Sequence, residues 1–189
     1  MKLIKFLQRK YFYFCNRNSF LYLSYTSTIQ KLLRLEGKEN IHIGERVIIQ
    51  KLTWLAALPL TGSKECRLMI GDGTIIGHFN HIYATSSIII GKDVLTADKV
   101  YISDNQHCYE NINIPISKQK ILQLEAVTIG NGTWIGENVC IMGASIGCNC
   151  VIGANSVVTK NIPDYCIAVG APAKVIKKYN LEKKTWEKV

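Results

Sequence analysis

Four histidines are the side chains best suited to moving a proton near neutral pH: His42, His78, His81 and His107. His107 stands apart from the others. It lies in the polar run Ser103-Asp104-Asn105-Gln106-His107, inside an interval of 24 residues, 103–126, that interrupts an otherwise regular pattern. A long loop inside a regular array is usually functional or disordered. An imidazole there is a candidate general base, and its bland role is a loop residue bonding locally. Asp104 and Asn105 either orient that imidazole or bind hydroxyl groups of a ligand, and the residues alone do not separate the two. Cys108 adjoins His107. A Cys–His nucleophilic pair needs facing side chains, however, and neighbours in an extended loop point apart. His42, His78 and His81 fall within the regular pattern, where isolated histidines read as packing or surface residues.

The seven cysteines are odd in number and contain no C-x-x-C pair. Several stand where small residues belong, which reads as packing thiols in a reducing compartment. Cys148 and Cys150 have one residue between them, which is not the usual zinc spacing.

The elements that must position His107 are set by the stretch Val127 to Lys160. Its aliphatic residues Ile129, Ile135, Ile141, Ile146, Ile152 and Val158 recur at six-residue steps, except for five between Ile141 and Ile146. Glycine follows at Gly130, Gly136, Gly147 and Gly153. Six fits neither a helix face nor an alternating strand; it fits short strands separated by corners, with the aliphatic side chain inward and a small residue at the corner, where a positive φ is affordable. Such coils must stack to bury their isoleucines, which is a parallel β-helix.

The rhythm is read from Ile41 and is broken at residues 52–69. It resumes at Ile70, shifts by two at Ile90, continues to Ile102, and stops again over 103–126. The expected organisation is a cap segment at 1–40, the β-helix at 41–178 with an excursion at 52–69 and an active-site loop at 103–126, and a basic tail at 179–189. Leu181 to Val189 is expected to be helical.

A chain of 189 residues, 48% hydrophobic and 20% charged, reads as one well-cored soluble domain. The net charge of +9 favours anionic partners. Nucleic acid is not expected among them, because no binding motif and no basic-aromatic stripe is present. Residues 1–25 interleave Lys2, Lys5, Arg9, Lys10 and Arg17 with bulky apolar side chains. No apolar run approaches the ~20 residues of a membrane span, and no secretory leader pattern is visible. The segment reads either as a helix capping the coil end or as a basic-aromatic surface that rests on a membrane.

The Ile-Gly repeats, Ser103 to His107, Trp134-Ile135-Gly136, Ala154-Asn155-Ser156-Val157-Val158 and Ala168-Val169-Gly170-Ala171-Pro172-Ala173-Lys174 together resemble the hexapeptide-repeat acyltransferases. Within them the chain is similar to sugar O-acetyltransferases of bacterial surface-polysaccharide synthesis and to the galactoside, maltose and xenobiotic acetyltransferases. The resemblance covers about residues 41–178. It implies an all-β, left-handed parallel β-helix with a protruding loop, to which the residues outside it add short N- and C-terminal helical segments as an expectation. It implies a cytoplasmic homotrimer with active sites at subunit interfaces, acetyl-CoA as acyl donor, no required metal, and a catalytic histidine at His107. By the same resemblance, Asp104 and Asn105 are acceptor-binding, and Trp134, Gly136, Ala154, Ser156, Thr159, Lys160 and Lys177 are cofactor-binding. The five-residue step before Ile146 departs from the family's usual six.

The implied reaction is O-acetylation of a sugar hydroxyl in capsule, O-antigen or exopolysaccharide synthesis, by direct attack on the thioester. The acceptor is a carbohydrate or lipid-linked glycan, with peripheral contact at the inner membrane face through residues 1–25. Alternatives are an N-acetyltransferase acting on a nucleotide-linked amino sugar, a xenobiotic acetyltransferase, a non-catalytic scaffold, and a γ-class carbonic anhydrase. For the last, His78 and His81 supply a pair but the later His-x-x-x-x-His pair is absent.

Overall fold

Strands this short cannot be held by their immediate neighbours in sequence, so their backbone partners must come from the next turn of the chain. The computed structural model, which describes residues 10–189, shows that arrangement. Three parallel sheets enclose one core. The first contains Tyr22–Leu23, Ile41–Ile43, Arg67–Ile70, Ser87–Ile90 and Val127–Ile129, continued by single bridges at Ile146 and Ile162. The second runs from Thr28–Ile29 through Ile48–Ile49, Ile75–Ile76, Leu95–Thr96, Trp134–Ile135 and Val151–Ile152 to Cys166–Val169. The third holds Arg34–Glu36, Trp54–Ala57, His81–Ala84, Tyr101–Ser103, Cys140–Met142 and Val157–Val158.

Register puts like on like. On the third sheet Leu35, Leu55, Ile82, Ile102, Ile141 and Val158 form one inward row, and the last five of these are fully buried. Each such side chain contributes about 1.5–3 kcal/mol by leaving water, and none could do so on an isolated coil.

The glycines have a different reason from the one expected. Gly71 and Gly130 do not have positive φ. A Cβ on Gly71 would lie 2.6 Å from the carbonyl carbon and oxygen of Gly91, and one on Gly130 would lie 2.4 Å from the amide nitrogen of Cys148. These glycines let successive coils stack at the corner. Positive φ falls two residues further on, at positions such as Asp93 (53°), Asn149 (50°) and Asn155 (61°), the last two being a residue type that tolerates the left-handed region.

Three expectations about boundaries need correction. The coil begins at Tyr22, so residues 22–36 form a full first turn and not a cap. The excursion is narrower than 52–69: Trp54–Ala57 and Arg67–Ile70 are strands in register, and only 58–66 leave the coil. The tail is not helical. Lys174–Asn180 pairs antiparallel with Cys166–Val169, and Thr185–Lys188 pairs antiparallel with Lys174–Asn180. The open edge of the second sheet offers unpaired backbone groups, and that outweighs a helix too short to hold on its own. The five-residue step does not disturb the register, since Ile146 still bridges Ile129 below and Ile162 above. Residues 143–145 absorb it at the corner, with Gly143 at φ 53°.

Residues 10–16 are helical and lay Phe12 and Tyr13 on the end of the core. Residues 1–9, which carry much of the expected basic-aromatic surface, lie outside the described residues. Among the described residues no helix is long and apolar enough to cross a membrane.

Candidate active site

The interval 103–126 is not a loose loop but a hairpin arm. Asn105–His107 pairs antiparallel with Ile121–Gln123, with His107 opposite Ile121. His107 is exposed near the outer end of this ladder.

The arm is fixed at its root by Asp104, which is completely buried. Its Oδ1 accepts from the Thr85 amide at 2.7 Å, the Thr85 hydroxyl at 3.1 Å and the Asn105 side-chain amide at 3.1 Å. Its Oδ2 accepts from the amides of Ser86 and Ser87, each at 2.7 Å. Asp104 therefore has no access to an acceptor, and its expected role there is corrected: it ties the arm to the corner between the third and first sheets. Gln123 secures the other strand, donating to the Asp104 carbonyl at 2.6 Å and accepting from the Thr85 hydroxyl at 2.9 Å. Nothing in the sequence singled out Gln123, because its partners are set by the return of the arm.

Replacing Asp104 by Ala strands three amides, that of Thr85 buried and those of Ser86 and Ser87 part-buried. The variant is expected to lose about 2–3 kcal/mol of stability, with faster amide exchange at Thr85, Ser86 and Ser87. Thermal melts and hydrogen exchange measure both.

His107 and Asn105 border a groove of about 500 Å³ on the outer face of the third sheet. Asn105 points its amide nitrogen at the Tyr83 carbonyl, 3.2 Å away. The groove wall carries Arg34, Glu36, Trp54, His81, Tyr83 and Tyr101. The His81 ring lies flat on Trp54, with centroids 4.1 Å apart and planes 9° from parallel. His78 instead faces Asp98, with Nδ1 3.2 Å from Oδ1, and His42 stacks on Tyr22.

Burial lowers the imidazole of His81 below its ordinary value, and burial likewise lowers His42, with Asp72 opposing. Both groups bind protons less readily folded than unfolded, so their contribution is present above pH 6.5 and is lost as pH falls through the folded values. Melting temperature is expected to decline below about pH 6.5, and His81→Phe, which keeps a ring on Trp54, to flatten that decline. Melts between pH 5 and 8 test this.

The residues expected to hold a cofactor divide. Trp134 is half-exposed on the outer row of the second sheet, and Lys177 lies on the same row three strands along, through Val151 and Ile167. Ala154 is exposed at the corner that follows. Thr159 and Lys160 are exposed on a different corner, after the third sheet. One expectation fails on contact grounds. Ser156 is fully buried, donating to the Gly153 carbonyl at 2.6 Å and accepting from the Gly170 amide at 3.1 Å. Gly136 serves coil stacking, since a Cβ there would lie 2.6 Å from the Ala154 amide nitrogen.

The fold and this arm can be set beside known proteins. The family described as "Hexapeptide repeat of succinyl-transferase" matches residues 126–160. The chain is 41% identical to the putative lipopolysaccharide biosynthesis O-acetyl transferase WbbJ of Escherichia coli over 64% of this chain and 65% of that protein. It is 40% identical to the galactoside O-acetyltransferase of Escherichia coli over 50% of this chain and 45% of that protein. The aligned regions thus span less than two thirds of either relative. Among solved structures it superposes on the polySia specific acetyltransferase NeuO with a TM-score of 0.63 and 30% identity, covering 80% of this chain and 68% of that one. The stacked three-sheet coil, the repeat that builds it and relatives matched over most of its length agree, and the chain belongs to the hexapeptide-repeat acetyltransferases.

Proposed function

We propose that this chain is an acetyl-CoA-dependent O-acetyltransferase acting on a sugar hydroxyl in surface-polysaccharide synthesis, with His107 as general base. The observation that carries the reading is the placement of His107, exposed on a hairpin braced by Asp104 and Gln123, at the border of a groove lined with hydrogen-bonding side chains. An alcohol is a poor nucleophile until its proton is removed as attack begins. His107 takes that proton while the hydroxyl oxygen bonds to the thioester carbonyl carbon. The carbon–sulfur bond breaks and the imidazolium returns the proton to the departing thiolate. No acyl-enzyme is invoked: Cys108 follows His107 in the extended stretch, where successive side chains point to opposite sides.

Trp134, Ala154 and Lys177 are suited to hold the acyl donor, by stacking, by leaving room and by charge. They lie on the second sheet and its corner, whereas the arm with His107 springs from the third. A donor held there is favourably placed for the base of an adjoining copy, which supports a homotrimer with shared sites. The outward row Ile48, Ile75, Leu95, Val151 and Ile167 supplies apolar surface for such packing. Exposed Tyr11 and Phe14 support peripheral membrane contact of this cytoplasmic enzyme, serving a lipid-linked glycan.

The test is radiolabelled acetyl-CoA with the full chain, a panel of glycosides and a lipid-linked glycan fraction. Label is expected in a base-labile ester on the sugar. Thiol release that no acceptor accelerates would count against the reading.

A further inference from the structure

The outer face of the third sheet carries a column of side chains from four successive strands. Arg34, Trp54, His81 and Tyr101 occupy one register position. The guanidinium of Arg34 lies 4.9 Å from the Trp54 ring centroid, on the side of the strand below. His81 covers the indole from the strand above at 4.1 Å, and Tyr101 follows His81 at 5.2 Å and 60°. Both faces of the indole are therefore occupied. The wall presents ring edges to the groove, and its Trp54 face is closed to a nucleobase that would stack on it.

Those edges carry a set of polar groups. The Trp54 Nε1–H donates to Glu36 Oε2 at 3.1 Å, and Arg34 pairs with Glu36 Oε1 at 2.8 Å. Glu36 is thus held by two donors on two different oxygens, while a carboxylate offers about four lone-pair directions. His81 Nε2 is buried and has no hydrogen-bond partner among the described residues. An unmade bond at a buried polar atom costs about 1–3 kcal/mol, but this nitrogen is closed to water and to the groove alike. Burial and then the Glu36 carboxylate push the Tyr83 phenol up, which keeps it a donor.

Charge narrows the occupant. Arg34 is the one Lys or Arg among the groove's described lining residues, and it is already engaged by Glu36. A diphosphate lodged here would meet the Glu36 carboxylate with no uncommitted arginine or lysine to offset it. Hydroxyl groups suit Glu36 and Tyr83 well, since each can donate to the carboxylate and accept from the phenol.

We propose that this face is the acceptor subsite, and that Glu36 and Tyr83 hold a glycosyl unit through its hydroxyls, with no phosphate inside the groove. The proposal rests on the acetyl-transfer reading only for what happens to the bound sugar; the binding itself is separate. A nucleotide-diphosphate sugar is the occupant it disfavours, and the distal sugar of a longer glycan is the one it favours.

The experiment is saturation-transfer NMR on the full chain. The probes are methyl pyranosides of glucose, galactose, mannose, rhamnose and N-acetylglucosamine, and the uridine-diphosphate conjugates of glucose, galactose and N-acetylglucosamine. At least one methyl glycoside is expected to bind, no more weakly than its conjugate where one is tested. Its affinity is expected to fall at least tenfold in Glu36→Gln and at least threefold in Tyr83→Phe, which removes one hydroxyl and little packing. His107→Ala is expected to retain binding while losing transfer. The proposal is overturned if no methyl glycoside binds, if a conjugate binds where its glycoside does not, or if folded Glu36→Gln and Tyr83→Phe bind as tightly as the parent chain. Binding that depends on Glu36 and Tyr83, found in a chain that transfers no acetyl group, would keep this subsite and remove the transferase reading.

Discussion

Alanine in place of His107 is expected to lower acetyl transfer by about 10² to 10⁴-fold, the usual share of a positioned general base. The fold should be unaffected, because the side chain is exposed on the arm and contributes nothing to the buried rows. The paired measurement is turnover with saturating acetyl-CoA and a circular dichroism melt. The comparison that gives it meaning is Asp104→Ala. That variant disturbs the proposed base indirectly, by loosening the arm's root, and so should show faster exchange at Thr85 to Ser87, which His107→Ala should not. Near-parental turnover in His107→Ala would remove it as the base, whatever the arm does.

Aspartate in place of Ile135 is expected to abolish folding. Ile135 is fully buried in the inward row of the second sheet, between Thr96 on one side and Ile152 on the other. A carboxylate there finds no cationic partner and loses its water, at a cost of several kcal/mol. The whole domain has roughly 5–15 kcal/mol to lose, and the break falls in the middle of a stack in which each coil depends on its neighbours. By contrast, Ile135→Val removes one methylene and should cost about 0.5–1.5 kcal/mol. Far-UV circular dichroism and gel filtration distinguish the two. A cooperative melt for Ile135→Asp near that of the parent would mean that the residue faces solvent.

The alternation behind that prediction was legible in the residues. A six-residue aliphatic step tells each short strand which side chain turns inward, and Ile129, Ile135 and Ile141 are all fully buried. His107 was also legible as the histidine outside the rhythm. The first coil keeps the same step at Leu23, Ile29 and Leu35, but no glycine follows them, so it lacks the Ile-Gly pair that marks the later turns. Those glycines mark close approach of one coil to the next, and in the first turn Ser24, Gln30 and Glu36 stand at the same corners. The C-terminal hairpin is hidden in the sequence for a different reason. A charged segment with weak alternation becomes strand when an open sheet edge lies beside it, and that edge is a property of the folded coil.

Local periodicity determined the coil, its inward faces and the interruption that carries His107, because each of these depends on residues within about six positions of one another. Only the tertiary structure decided which side chains lie above one another from coil to coil. Arg34, Trp54, His81 and Tyr101 are separated by 20, 27 and 20 residues, and the unequal middle step comes from the 58–66 excursion. Their stacking follows from backbone pairing between coils, which passes over such insertions. The same holds for Asp104. A carboxylate beside a candidate base reads from the sequence as a ligand-binding group. Its burial under the amides of Thr85, Ser86 and Ser87 exists only because the coil before it has brought three unpaired donors to that corner.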